Sequence, residues 1–181
     1  MRHYLYRPHL PENELLALAI GECYFEEFTA ELEARGIELL PLKPLQTLDP
    51  RLQGHADLML LPLGGDVFWA AKGLETDSRI PVKHSIPLDN DCALNCCAVG
   101  PYWIGSPKYS AWQPTDAIRV SVRQRYARCS VCIVDDHSII TADRGMHAVP
   151  KKAVWMYLRS RPDILFWMDS ITVLSAVHRL K

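Results

Sequence analysis

The chain has 181 residues, 49% of them hydrophobic and 23% charged, with 20 basic against 21 acidic side chains. That length predicts one domain able to hide about 70% of its unfolded surface, and the composition excludes a disordered or collagen-like chain. A net charge of −1 leaves no cationic excess for a phosphate backbone, and no apolar run is long enough to span a bilayer, so neither nucleic acid nor membrane is an expected partner.

Thirteen prolines against nine glycines predict short elements and many connections. Residues 3–7 read as an opening strand, and Pro11 opens a helical stretch with Glu12 and Glu14 in its first turn. The N-terminus carries Pro8, Pro11, Glu12 and Glu14 where an export signal needs apolar residues, so the chain is expected to be cytoplasmic and its six cysteines to be thiols. The segment from Glu22 to Gly36 is the clearest helix, with Phe25, Phe28 and Leu32 at three- and four-residue spacing and Gly36 as its stop.

Ile37 to Leu42 reads as a strand, Asp57 to Leu63 as a buried strand, and Gly64-Gly65 as a tight turn returning through Val67 to Ala71. Residues 72–92 and 101–114 read as irregular. Leu94 to Val99, Ala117 to Val122 and Cys129 to Val134 read as strands, and Ile139 to Thr141 leaves a turn at residues 135–138. Thr141 or Asp143 is placed to cap a short helix through residue 148. Hairpins interleaved with helices define an α/β (α+β) domain, and no fixed-period repeat stands out.

Three clusters could carry chemistry. In QGHADLMLL, His55 and Asp57 lie two apart, so an extended chain would set them on one face as an acid/base pair. The structural alternative is a capping Asp57 and a solvated His55. In LNCCAVG, Asn95 can satisfy backbone groups of a turn, while Cys96 and Cys97 suit a strand core. In VRQRYARCSVCIVDDHSIITADRG, Arg123, Gln124, Arg125 and Tyr126 offer donors to a small anion or simply end a hairpin. Cys92, Cys96, Cys129 and Cys132 are weak zinc candidates, because CxxxC and CxxC do not repeat one spacing and CSVCIV reads as a strand. No P-loop, dinucleotide fingerprint, HExxH or GxSxG is present, and no cofactor is expected.

Together, GHADLML at 54–60, LNCCAVG at 94–100 and QRYARCSVCIVDDHSIITADRG at 124–145 resemble a bacterial domain family of unknown function assigned to the fold of the guanidino-group-modifying enzymes, the pentein fold. The resemblance implies ββαβ-type units around a pseudo-symmetry axis, here an incomplete pentein-like β/α-propeller, with a polar site at its centre. It further implies a small guanidino or amino-acid-like ligand. In active members of that superfamily a Cys, a His and acidic residues act on a guanidinium carbon, the Cys lying in the last unit. No Cys follows Cys132 in this chain, so the nucleophile role is carried onto neither Cys129 nor Cys132. His55, Asp57 and Asp143 match family positions and are candidates for catalysis. Asn95, Gln124 and Tyr126 match others and are candidates for ligand binding. A non-catalytic binding or interaction module on the same fold is the alternative.

The resemblance divides the single domain 1–181 into a family-like part, 1–148, and a divergent tail, 149–181. The family resemblance calls for a glycine-rich close, GFDYGFIGGASG, whereas the tail has no glycine. Read from the third base of each codon, Val154 to Tyr157 must give (Leu/Met/Val)-Asp-Val and Phe166 to Asp169 must give Leu-Asp-Gly, and the codons of Ser170 to His178 permit the family's ending. A frameshift near residues 148–152 is therefore expected. The alternative is a native tail helix with Trp155, Leu158, Ile164, Phe166 and Trp167 as its core.

Overall fold

The computed structural model describes residues 15–64, 67–141 and 171–174, together with His9 and Asp143. The expected strand at 3–7, the helix from Pro11, the cap through 148 and the alternative tail helix lie outside these residues.

The run Ala17-Leu-Ala-Ile-Gly21 has no polar side chain and is buried throughout, which suits the middle of a sheet. It forms β1 (Ala17–Gly21), parallel to β2 (Glu38–Leu42) on one side and antiparallel to β11 (Ile171–Leu174) on the other. A single 3-10 turn (Glu22–Tyr24) and α1 (Phe25–Glu33) make the crossover that a parallel pair requires. Phe25, Phe28 and Leu32 pack on Leu18, Ile20 and Leu39, as their spacing predicts. The helix ends where Gly36 takes φ +75, its N–H bonding to Glu33 O at 2.9 Å and that of Ile37 to Leu32 O at 2.9 Å.

The same arrangement returns twice. β3 (Leu60–Pro62) and β4 (Phe68–Ala71) form an antiparallel hairpin, and β5 (Val82–Ile86) lies parallel to β4. β6 (Cys97–Val99) and β7 (Tyr102–Gly105) form another, with β8 (Ile118–Ser121) parallel to β7. A further hairpin joins β9 (Val131–Asp135) to β10 (Ser138–Thr141). The molecule is thus a mixed α/β protein of several small sheets and few helices, with no closed barrel among the described residues. Its largest core cluster runs from Ala17 and Leu40 through Leu58, Leu61 and Phe68 to Leu94 and the fully buried Trp103.

Three sequence expectations need correcting. Ala56–Met59 forms a short helix, α2, ahead of β3, so His55 and Asp57 do not share one face of a strand. Ala, Leu and Met favour a helical turn over a pleat, and Leu58 N–H closes it on His55 O at 3.1 Å. The stretches read as irregular contain β5 and β7. Cys129 lies on a 3-10 turn (Arg128–Ser130), not on the strand that follows.

Candidate functional site

Each of three hairpins is preceded by a tight turn, and each turn delivers one polar side chain to the same point. Asp57 stands on α2 ahead of β3, Asn95 ends the turn ahead of β6, and Cys129 stands on the 3-10 turn ahead of β9. Asp57 is 2% exposed and Asn95 fully buried.

Asn95 holds the cluster together. Its Nδ2 donates to Asp57 Oδ2 at 2.6 Å and to Cys129 Sγ at 3.0 Å. Its Oδ1 accepts the backbone N–H groups of Arg128 at 2.8 Å and Cys129 at 3.4 Å. The thiol of Cys129 donates to Asp57 Oδ2 at 2.5 Å, closing a triangle of carboxylate, amide and sulfur. Asp57 Oδ1 is buried without a hydrogen-bond partner among the described residues.

Burial pushes the Asp57 carboxyl above its ordinary range, against the opposing pull of the Arg128 charge, the Cys129 and Asn95 hydrogen bonds and the nearby His55. The Arg128 guanidinium reaches the Leu60 carbonyl of β3 at 2.7 Å, which ties the third turn to the first hairpin. Burial and the Arg128 charge together hold His9 well below the usual imidazole range, so it is neutral at pH 7.

The structure therefore brings Asp57, Asn95 and Cys129 into direct contact and sets His55 beside them, at the residue ahead of α2. Gln124 and Tyr126 belong to the segment leading into the Cys129 turn. Ser130 Oγ donates to Gln124 Oε1 at 3.2 Å and to the Tyr126 carbonyl at 3.1 Å, while Gln124 Nε2 is buried without a partner among the described residues. Asp143 follows β10. Its N–H bonds to Thr141 Oγ1 at 3.1 Å, and that hydroxyl donates to Ser130 O at 2.5 Å, beside Cys129.

The remaining cysteines go elsewhere. Cys92 Sγ donates to Asn90 Oδ1 at 2.9 Å, Cys96 Sγ faces the Trp112 carbonyl at 3.7 Å, and Cys132 lies on β9 opposite Ile140. No group of three or more His, Cys, Asp or Glu is placed to hold a metal ion among the described residues. All six cysteines are unbridged. His9 and Arg128 are the neighbours that sequence reading missed. Arg128 could have been found from its place beside Cys129, but nothing local marks His9.

A second device fixes the position of the Asp57 turn. Gly21, at the end of β1, packs directly against the Gly54 carbonyl, where a Cβ would overlap the oxygen, and Cys23 Sγ lies over Gly54. The approach sets the end of β1 beside the residues that lead into His55 and Asp57.

Fold and site define the class: a mixed α/β protein of small, similarly built sheets whose turns carry a buried acid–amide–thiol cluster. The chain belongs to a family of unknown function, DUF6873, which matches residues 19–165. No curated protein and no solved structure matches it. No helix among the described residues is long and apolar enough to cross a membrane.

Proposed function

We propose that this is a guanidino-enzyme-like domain, its sheets arranged as units of an incomplete pentein-like β/α-propeller, whose polar centre takes a small amidino or amino-acid-like ligand. The topology supports the fold reading, because an antiparallel hairpin followed by a parallel third strand occurs in two sheets and is matched by β11, β1 and β2. The buried Asp57 carboxylate carries the ligand reading. One of its oxygens is held by Asn95 and Cys129, and the other has no partner among the described residues. An amidinium can donate one N–H to that unpartnered oxygen, and its charge offsets the burial of the anion.

The test is titration calorimetry with L-arginine and its neutral counterpart L-citrulline. We expect arginine to bind at least tenfold more tightly, and Asp57→Asn to abolish the difference. Equal binding of the two would sink the reading. The lack of a Cys after Cys132 favours a second reading, a binding module without turnover. Ammonia release from bound arginine would exclude that one.

We also read residues 149–181 as a product of a shifted frame in a bacterial gene, and the free thiols support a reducing, cytoplasmic setting. Four tail residues supply β11 on the edge of β1, so the shifted frame would substitute a different segment for an edge strand. Sequencing the gene across codons 145–181 is expected to restore the glycine-rich ending. An uninterrupted frame there would end this idea.

A further inference from the structure

Six cysteines lie among the described residues, and their surroundings sort them sharply. Cys96 and Cys97 are fully buried, and desolvation pushes both thiols up to about 12. Burial also raises Cys132 and Cys23. Cys92 is fully buried and donates to Asn90. Among the described residues Cys129 alone donates to a carboxylate, at 2.5 Å, with an amide N–H donor on its sulfur at 3.0 Å, and it is only partly buried. The second Asp57 oxygen, within the same 2%-exposed side chain, has no partner among the described residues.

We propose that Cys129 is a nucleophile, with Asp57 as its proton acceptor and Asn95 as the residue that positions both, in a site for a small electrophile carrying an N–H donor one or two bonds from its reactive carbon. The carboxylate accepts the thiol proton, and the Asn95 N–H stabilises the charge left on sulfur. The electrophile's N–H then donates to Asp57 Oδ1, which fixes its carbon near the sulfur. A carboxyl whose proton affinity is raised by burial is a stronger base toward a thiol than an exposed one. Among the described residues, Arg128 and His55 bear on Asp57, Tyr126 bears on Cys129, and His9 lies under the Arg128 charge.

Iodoacetamide is the probe, used on the full chain with each cysteine followed by peptide mass spectrometry. The S–C bond forms, the C–I bond breaks, iodide leaves with its electron pair, and the thiol proton passes to Asp57. We expect Cys129 to react at least tenfold faster than Cys23 or Cys132 at pH 7. We expect Asp57→Asn, which keeps the side-chain shape, to slow it at least tenfold. A Cys129 rate no greater than those two, or unchanged in D57N, overturns the proposal.

The unmodified chain supplies a readout that does not depend on how the variant folds. A simple thiol loses about tenfold in rate per pH unit below its pKa. Cys129 should lose less than tenfold in total between pH 8 and 6, while Cys132 follows the simple slope. A simple slope at Cys129 overturns the assignment of Asp57 as acceptor. No amidino ligand enters these experiments. Fast labelling without arginine binding therefore removes the ligand reading and keeps the nucleophile, and the converse result does the reverse.

Discussion

Replacing Asn95 by Ala is expected to lower unfolding stability by roughly 3–5 kcal/mol. The side chain is fully buried and serves four partner groups in two other turns. Its loss leaves the backbone N–H groups of Arg128 and Cys129 without their acceptor and removes a donor from the Asp57 carboxylate. Each buried polar group left unpaired costs about 1–3 kcal/mol. The methyl group of Ala restores none of these contacts and leaves a polar-walled void. Urea unfolding at pH 7 measures the effect through the transition midpoint, with an unchanged slope as the sign that only stability has moved. A loss below 1 kcal/mol would mean that the three turns are held together by other means. Asn95→Asp is the informative companion, since it keeps the acceptor for both N–H groups but sets a second carboxylate against Asp57. It should be destabilised at pH 7 and recover as the pH falls and the pair takes up a proton.

Gly21→Ala should be nearly as damaging. The added methyl would meet a backbone carbonyl, that of Gly54, and not the far end of a flexible side chain. Either β1 must shift within its sheet or the loop before His55 must retreat. Overpacking of this kind costs about 3 kcal/mol, a fall in Tm of roughly 6–12 °C for a chain of this size. Gly36→Ala provides the contrast. Its Cβ would meet nothing within 4 Å, so only the left-handed backbone at φ +75 opposes it, a cost of about 1–2 kcal/mol. Thermal unfolding of the two variants should separate them clearly. Equal losses would show that space at Gly21 is easily made. Because Gly54 leads into the Asp57 turn, Gly21→Ala should also weaken whatever Asp57 binds.

Much of this site was readable from residue type. Asp57, Asn95 and Cys129 each lie in one of the three clusters that the sequence marks, and α1 with its Gly36 stop follows from the Phe25, Phe28 and Leu32 spacing. The hairpins were legible where a turn signal such as Gly64 separates two apolar runs. What escaped was local shape over three or four residues. ADLM reads as the start of an apolar strand, and only its helical turn aims Asp57 at Asn95. VKHSI carries Lys83, His84 and Ser85, all exposed, and becomes a strand only because β4 offers a parallel edge across a long crossover. The repeat was implied by the family resemblance alone and left no period in the residues. It resides in strand order, with first strands starting at Leu60, Cys97 and Val131, an uneven spacing over dissimilar residues. The pairing of Cys129 with Asp57 spans 72 positions, beyond any local pattern.

The three corners of the site occupy corresponding places in similarly built pieces, yet they carry an acid, an amide and a thiol. That division of chemistry pairs donors with acceptors. Three carboxylates converging on one buried point would repel, and three thiols would offer no strong acceptor. Different side chains on a repeating backbone thus satisfy one another, and the asymmetry gives the centre a direction. For the ligand proposed above, a proton acceptor on one side and sulfur on another would leave one favourable orientation where a symmetric centre would offer several.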